Sequence, residues 1–157
     1  MAARFSDQQI ATFLSEQKPV QGNFRSRIQA KPKHGHKEQE LDVTGVDGNA
    51  FRLILRQSMF NHLDFSVILG VFPKESNELF RLRRYNGKSH EHSNRLEEQK
   101  FYNFHIHTAT ERYQELGKEE DAYAEQTERY SDLQSAIDCM LSDCGFKLPA
   151  DTQGALF

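Results

Sequence analysis

The sequence predicts an α+β domain: an antiparallel sheet of about six strands with an N-terminal helix and C-terminal helices packed on one face. Three observations lead to this prediction. Apolar and polar residues alternate through the middle of the chain, apolar residues recur at helical spacing at both ends, and Asp47-Gly48 joins two of the alternating segments. We expect residues 1–148 to form this single domain and residues 149–157 to be a mobile tail.

The N-terminal helix is expected to run from Asp7 to Gln17, where apolar residues recur every three or four positions. Ser6 or Asp7 can serve as its N-cap, because a short polar side chain accepts a hydrogen bond from the first turn. Pro19 should end it, since the residue before a proline is excluded from the α region.

Six segments of the middle region are expected to be strands, most of them because apolar and polar side chains alternate along them. They are residues 24–28, 41–44, 51–55, 65–72, 79–85 and 101–107. Segment 65–72 is apolar on both faces, so we place it in the centre of the sheet. The Asp47-Gly48 turn between two of the segments is a strong hairpin signal.

The remainder is expected to be helical, in three pieces. The first begins at Thr108 or Thr110 and runs towards Leu116, and the second covers residues 119–129. The third begins at Ser131 and ends at Gly145, which is a good C-cap residue.

A tetrapeptide occurs twice in this region, as Thr110-Glu111-Arg112-Tyr113 and as Thr127-Glu128-Arg129-Tyr130. A single short repeat does not define a repeat architecture. We interpret both copies as helix starts, each with a threonine cap and an acidic first turn.

Composition narrows the class of protein. The chain has 157 residues, of which 37% are hydrophobic and 27% charged, as in ordinary globular domains. No apolar run approaches the ~20 residues of a membrane span, and residues 1–17 lack the apolar stretch of a signal peptide. Cys139 and Cys144 are expected to be reduced thiols. We therefore expect a cytoplasmic protein that has no membrane partner.

The net charge of −3 gives no nucleic-acid signature, but the charge is unevenly distributed. Residues 1–37 carry seven Lys/Arg against two Asp/Glu, and residues 111–138 carry three against nine. Two solvated surfaces of opposite charge explain this distribution. The alternative is a basic sheet face that meets an anion, with an acidic helical layer elsewhere.

Six of the seven histidines fall in three His-x-His pairs, His34/His36, His90/His92 and His105/His107. On a strand, residues i and i+2 point the same way, so paired imidazoles can bind one metal ion, share a proton or contact one phosphate. The first pair is expected at a basic hairpin tip. The second lies in a loop, and the third lies in the expected strand 101–107. A hairpin would bring the last two pairs together with Arg81 and Arg83 on an open sheet face.

This region supplies the candidate site. The candidate catalytic residues are His90, His92, His105, His107 and Glu111. The candidate substrate-binding residues are Arg81, Arg83, Arg112 and Tyr113. Histidine changes charge near neutral pH, a carboxylate can orient a histidine, arginine holds phosphate oxygens with paired donors, and tyrosine can stack on an unpaired base.

The spacing of these histidines matches no named metal motif, so the sequence assigns no metal ion and no cofactor. Catalytic zinc needs three protein ligands. The last two His-x-His pairs, with Glu97 or Glu111, meet that number only if they converge on one point.

The segment from Phe104 to Tyr113, preceded by Asn86-Gly87 and His90-x-His92-x-Asn94, resembles a family of small uncharacterised bacterial proteins. The resemblance covers roughly the second half of the chain and transfers no activity. It implies a bacterial or mobile-element setting, in which small intracellular proteins are often toxins, antitoxins or phage-related factors.

Three functional hypotheses follow. The first is a small intracellular RNA-directed protein, a ribonuclease-like toxin whose histidines move protons. The second is a non-enzymatic interaction protein, antitoxin-like or phage-related, that docks a protein partner through the acidic segment 111–128. The third is a metal-dependent hydrolase. Exposure of His105 and His107 on an open sheet face beside the arginines would favour the first, and burial of these histidines would count against it.

Overall fold

The computed structural model describes residues 4–74, 76–88, 92–94, 96–116 and 119–149. Its helices are α1 (Asp7–Ser15), α2 (Phe24–Arg27), α3 (Glu111–Glu115) and α4 (Leu133–Asp143). Its strands are β1 (Lys18–Pro19), β2 (Lys31–Lys33), β3 (His36–Thr44), β4 (Ala50–Ser58), β5 (Phe65–Phe72), β6 (Phe80–Asn86), β7 (His92–Asn94), β8 (Gln99–Phe101), β9 (His105–Thr108), β10 (Ala124–Gln126) and β11 (Phe146–Lys147).

Seven of these strands form one antiparallel sheet, in the order β10-β9-β6-β5-β4-β3-β2. The predicted α+β class is confirmed, with one strand more than expected. Strand β5 is the middle strand, as its continuous apolar run predicted. Strands β1 and β11 pair in parallel, and β7 and β8 form a separate antiparallel hairpin.

One face of the sheet packs against α1 and α4 and holds the core, and we call it the helix face. Its centre consists of alternate residues of β4 and β5 that are at most 1% exposed: Phe51, Leu53, Leu55, Val67, Leu69 and Val71. Complete burial of a side chain of this size contributes roughly 1.5–3 kcal/mol. The opposite face carries His105 and His107, and we call it the histidine face.

A β-bulge in β6 changes which arginine lies on which face. The register shifts between Leu69, which pairs with Arg83, and Gly70, which pairs with Arg81. The extra residue places Arg83 on the helix face, whereas Arg81 and Arg84 lie on the histidine face. The prediction that Arg81 and Arg83 share a face with the histidines is therefore wrong for Arg83, because a bulge breaks the two-residue period of a strand.

Helix α1 confirms the predicted N-terminal helix, although it ends at Ser15 rather than at Gln17. Ser6 and Gln9 form a capping box, in which Gln9 N donates to Ser6 Oγ at 3.1 Å and Ser6 N donates to Gln9 Oε1 at 2.8 Å. The chain then enters β1 at Lys18–Pro19, where proline excludes further helix.

The predicted strand 24–28 is wrong, since residues Phe24–Arg27 form the short helix α2. Phe24 and Ile28, which are 1% and 5% exposed, bury the apolar face of this turn. Residues four positions apart share a face in a helix and also in a strand, so this short segment satisfied both patterns.

The predicted helix 119–129 is also wrong, because Ala124–Gln126 form β10 at the edge of the sheet. Ala124 pairs with His107 of β9. Partners far away in the chain override the helical tendency of this segment, as tertiary contacts commonly do. The predicted strand 101–107 is in fact two strands, β8 and β9, because each has a different partner.

Helix α4 confirms the long C-terminal helix, with Asp132 as its N-cap in place of Ser131. Gly145 has a φ of +77° and ends the helix in the left-handed conformation, which a side chain disfavours. The expected mobile tail falls almost entirely on residues 150–157, which lie outside the described residues. Among the described helices, none has the length and apolar composition to cross a membrane.

A buried lysine joins the ends of both long helices. Lys18 is fully buried, and its ammonium group donates to the carbonyls of Phe13, Leu14, Glu16 and Cys144 at 2.9, 3.2, 2.8 and 2.6 Å. The ring of Phe51 lies 4.4 Å from Nζ. Burial lowers the pKa of Lys18 to about 8, so the group is still protonated at neutral pH. It therefore satisfies carbonyls that a helix C-terminus leaves without partners.

We expect Lys18→Met to lower the free energy of unfolding by about 3 kcal/mol, because the substitution leaves several buried carbonyls without a donor. Urea denaturation followed by circular dichroism measures this change. Lys37→Met, at an exposed position of β3, is the control and should change the stability by less than about 0.5 kcal/mol. Equal effects of the two substitutions would contradict the capping role of Lys18.

Candidate metal centre

Strand β9 presents His105 and His107 on the same face of the sheet, as the two-residue period predicted. Opposite them in β6 lie Asn86 and Arg84, respectively. The prediction that this face is open is wrong here, since both histidines are only 3% exposed. The β7–β8 hairpin lies over them and brings His92 against both rings.

Asn94 holds the hairpin in this position. Its Nδ2 donates to the carbonyl of Ala124 at 2.5 Å, and its Oδ1 accepts from the Ala124 N–H at 2.8 Å. These are the two hydrogen bonds that a further strand would make with this residue of β10. Asn94 is 1% exposed, and its Nδ2 also donates to Gln99 in β8, at 3.1 Å.

The three histidines His92, His105 and His107 form a compact group, which we call the histidine cluster. The ring of His92 stacks on that of His105 with centroids 5.2 Å apart and meets that of His107 edge-on at 4.7 Å. The rings of His105 and His107 are 5.0 Å apart. One ring nitrogen from each histidine lies within 4.8 Å of the other two.

Hydrogen bonds select the tautomer of each ring. His105 Nδ1 donates to the carbonyl of Asn103 at 2.8 Å, and His107 Nδ1 donates to the carbonyl of Asp121 at 2.7 Å. His92 Nε2 donates to Asn94 Oδ1 at 2.8 Å. In each neutral ring the second nitrogen then carries the lone pair. Donors of the chain already face two of these lone pairs, since Asn86 Nδ2 lies 3.5 Å from His105 Nε2 and Arg84 Nη2 lies 3.5 Å from His107 Nε2. This is the arrangement of metal-binding histidines, whose other N–H is held by an acceptor of the protein.

The protonation state of His107 also suits a metal ligand. Burial, together with the nearby charge of Arg84, lowers the pKa of His107 to about 2. The ring is therefore neutral throughout the physiological range, and a histidine must be neutral to bind a metal ion. For the same reason His107 cannot act as a general acid near neutral pH.

A network of ion pairs supports the carbonyl that holds His107. Asp121 is fully buried, and its carboxylate lies 3.2 Å from Arg81 and 3.5 Å from Arg84. Burial raises the pKa of this carboxyl. Arg81 also pairs with Glu119 at 3.4 Å and with Glu120 at 3.5 Å. Arg81 was predicted to bind phosphate, but its charge is already paired with carboxylates of its own chain.

The other predicted site residues lie away from the cluster. Glu111 is exposed in the first turn of α3, where its N–H donates to Asp7 Oδ1 at 2.9 Å. Arg112 and Tyr113 both contact Glu97, at 2.5 and 2.9 Å. These two residues thus tie the β7–β8 connection to α3. Arg83 lies on the helix face, and His90 is outside the described residues.

The residues that complete the cluster were not predicted: Asn86, Arg84, Asn94 and Asp121. The position of Asn94, two residues after His92, could have indicated that the two side chains share a face. No local signal indicated Asp121, since it belongs to a segment that was expected to be helical. Arg84 was missed because the bulge exchanges its face with that of Arg83.

Comparisons with known proteins do not identify this site. No protein-family model, no curated protein and no solved structure matches the chain. The resemblance to small bacterial proteins therefore stays a prediction. The function has to be argued from the chemistry of the residues themselves.

We expect Asp121→Asn to lower the free energy of unfolding by about 2 kcal/mol, because it leaves two guanidinium groups without their buried carboxylate. The value is below that for a fully buried pair, since both arginine side chains remain more than 20% exposed. Glu119→Gln, whose side chain is 67% exposed, should have little effect. Chemical denaturation of both variants measures the difference, and an Asp121→Asn protein as stable as wild type would refute the role of this ion pair.

Proposed function

We propose that this protein is a metal-dependent hydrolase in which His92, His105 and His107 bind one Zn²⁺ ion. The observation that carries the proposal is the convergence of three imidazoles from two separate strands, each with one N–H held by an acceptor of the protein. Three protein ligands is the number found in catalytic zinc sites, where structural sites have four.

The distances are compatible with such a site after a small movement. In a tetrahedral site with bonds of about 2.0–2.1 Å, ligand nitrogens lie about 3.3 Å apart. In the structure, one ring nitrogen of each histidine lies within 4.8 Å of those of the other two. Each ring therefore needs to shift by no more than about 1.5 Å to reach the tetrahedral spacing. His92 is on the two-stranded hairpin, outside the main sheet, and we expect it to move most.

The electrostatic environment also supports a cation. The guanidinium group of Arg84 lies 3.4 Å from His107 Nδ1 and 3.5 Å from His107 Nε2, the nitrogen that would bind the ion, so Arg84 has to move away when a metal ion binds. The charge of Arg84 and that of Arg81 are offset by Asp121, Glu119 and Glu120. Among the described residues around the cluster, the carboxylates therefore offset the charge of these two arginines.

Zn²⁺ with three protein ligands lowers the pKa of a coordinated water to about 7 and so supplies a nucleophile for hydrolysis. The contribution of the chain is to keep His107 neutral, to orient the three rings and to exclude bulk water from His105 and His107. Asn94 and the carbonyls of Asn103 and Asp121 orient the rings. Such outer partners typically account for about 10–100-fold in metal affinity.

The metal-free ribonuclease hypothesis has less support. It requires histidines that titrate near neutral pH and reach a bound phosphate, whereas His107 is neutral and both β9 histidines are buried. It also requires arginines that are available to phosphate, whereas Arg81 is paired with three carboxylates. The three carboxylates, those of Glu119, Glu120 and Asp121, belong to the acidic segment 111–128. Because they are already paired with Arg81, they are less available to a protein partner, and the docking hypothesis for this segment has less support.

We expect the wild-type protein to bind one equivalent of Zn²⁺, and His92→Ala to weaken binding by more than about 100-fold, because a lost ligand costs more than a lost outer partner. Isothermal titration calorimetry of metal-stripped protein measures both. Asn94→Ala should weaken binding by about 10–100-fold.

His62→Ala is the matched control, since His62 is exposed and lies outside the cluster. Its affinity for Zn²⁺ should equal that of wild type. If folded wild-type protein binds no Zn²⁺, or if His62→Ala loses as much affinity as His92→Ala, the metal centre is refuted.

We expect the Zn²⁺-loaded protein to hydrolyse at least one member of a panel of activated phosphodiesters, phosphomonoesters, carboxylic esters and single-stranded RNA. Activity should disappear with a chelator, return on addition of Zn²⁺, and be absent from His92→Ala but present in His62→Ala. RNA cleavage that survives the chelator would instead support the metal-free ribonuclease. Stoichiometric Zn²⁺ binding without any hydrolysis would refute the enzymatic part of the proposal and leave a metal-binding protein.

A further inference from the structure

A cavity lies on the helix face, on the side of β9 away from the histidine cluster. It has a volume of about 470 Å³, within the range of small-molecule sites, and Arg83 and Arg129 contribute to its wall. Strand β9 lines it with Ile106 and Thr108, which alternate with the two histidines of that strand. The cavity therefore shares no side chain with the histidine cluster.

Two guanidinium groups, those of Arg83 and Arg129, line this cavity together with the carboxylate of Glu125. The guanidinium group of Arg129 makes two hydrogen bonds with the carboxylate of Asp143, at 2.8 and 2.7 Å, and the Tyr85 hydroxyl donates to the same carboxylate at 2.6 Å. Arg83 lies close enough to Asp143 to interact electrostatically. Two guanidinium groups thus share one carboxylate. Arg83 Nε is also buried with no hydrogen-bond partner among the residues that the structure describes.

The repeated tetrapeptide supplies hydroxyl groups to the same cavity. Thr110 and Thr127, the first residues of the two copies, both line it. Thr110 Oγ1 accepts from the N–H of Tyr113 at 3.3 Å, and Thr127 Oγ1 accepts from the N–H of Arg129 at 3.1 Å. Because each oxygen is already an acceptor of a backbone bond, its own proton remains to be donated. The second copy does not begin a helix as we expected; its threonine closes a turn at the cavity.

From this arrangement we propose that the cavity binds the phosphate group of a small organic phosphate about the size of a mononucleotide. The guanidinium group of Arg83 lines the cavity and can present paired donors to an oxyanion, and the threonine hydroxyls supply further donors for a third oxygen. A carboxylate has only two oxygens and would leave donors unused. Tyr123 also lines the cavity and offers a flat ring, and its hydroxyl donates to the exposed Glu125 at 2.8 Å. Glu125 also lines the cavity, and because its carboxylate repels an anion, the phosphate itself belongs beside Arg83.

The test is titration of the metal-free protein with AMP, ribose 5-phosphate, inorganic phosphate and citrate, followed by calorimetry. We expect AMP and ribose 5-phosphate to bind, and citrate to bind at least 10-fold more weakly. Arg83→Gln should weaken the binding of AMP by about 10–100-fold, since a hydrogen bond to a charged group contributes about 1.5–3 kcal/mol. Arg52→Gln is the matched control, because Arg52 lies on the opposite face and pairs with Asp42 at 2.7 Å. This variant should bind AMP as wild type does.

A second measurement does not depend on whether Arg83→Gln folds. Amide chemical shifts of wild-type protein should change on addition of AMP at Thr108, Tyr123 and Thr127. Changes confined to the basic hairpin around residues 31–37, unaltered affinity in folded Arg83→Gln, or citrate binding as tight as that of AMP would each overturn the proposal. Because the protein is metal-free throughout, failure here leaves the metal centre untouched, and failure of the metal centre leaves this site untouched.

Discussion

The paired hydrogen bonds between the Asn94 side chain and the backbone of Ala124 determine what the histidine face can do. They place the β7–β8 hairpin over β9, so His92 meets two histidines that are otherwise far from it in the chain. They also cover part of β10, which would otherwise be an unprotected sheet edge. The same amide accepts from His92 Nε2 at 2.8 Å, so one side chain both docks the hairpin and orients a ring.

Burial changes the chemistry of residues that the sequence presents as acids and bases. On an open strand, His105 and His107 would titrate near neutral pH and exchange protons with a substrate. Beneath the hairpin, desolvation keeps His107 neutral and the acceptors around the cluster fix one N–H on each ring. A neutral His107 and three oriented imidazoles favour metal coordination over proton transfer.

Regular patterns made the sheet predictable from the sequence, and its irregularities were not. The continuous apolar run Phe65–Phe72 identified the central strand, and the two-residue period placed His105 and His107 on one face. No sequence pattern indicates the bulge in β6, yet the bulge exchanges the faces of Arg83 and Arg84. It therefore separates Arg83, a predicted phosphate-binding residue, from the histidines. Strand β10 pairs with β9 and is contacted on its other edge by Asn94, a residue 30 positions away, and no local propensity indicates either contact. The histidines of the site were therefore predictable, whereas the residues that support them were not.

The central claim is that three histidines from two strands coordinate one ion, and the visible spectrum of the Co²⁺ complex tests it most directly. The metal-stripped protein should take up one equivalent of Co²⁺ and develop the intense absorption of a low-coordinate complex with nitrogen ligands, and His92→Ala should not develop it. A pale spectrum typical of octahedral Co²⁺ in water that never saturates, or the same intense spectrum in His92→Ala, would contradict the account.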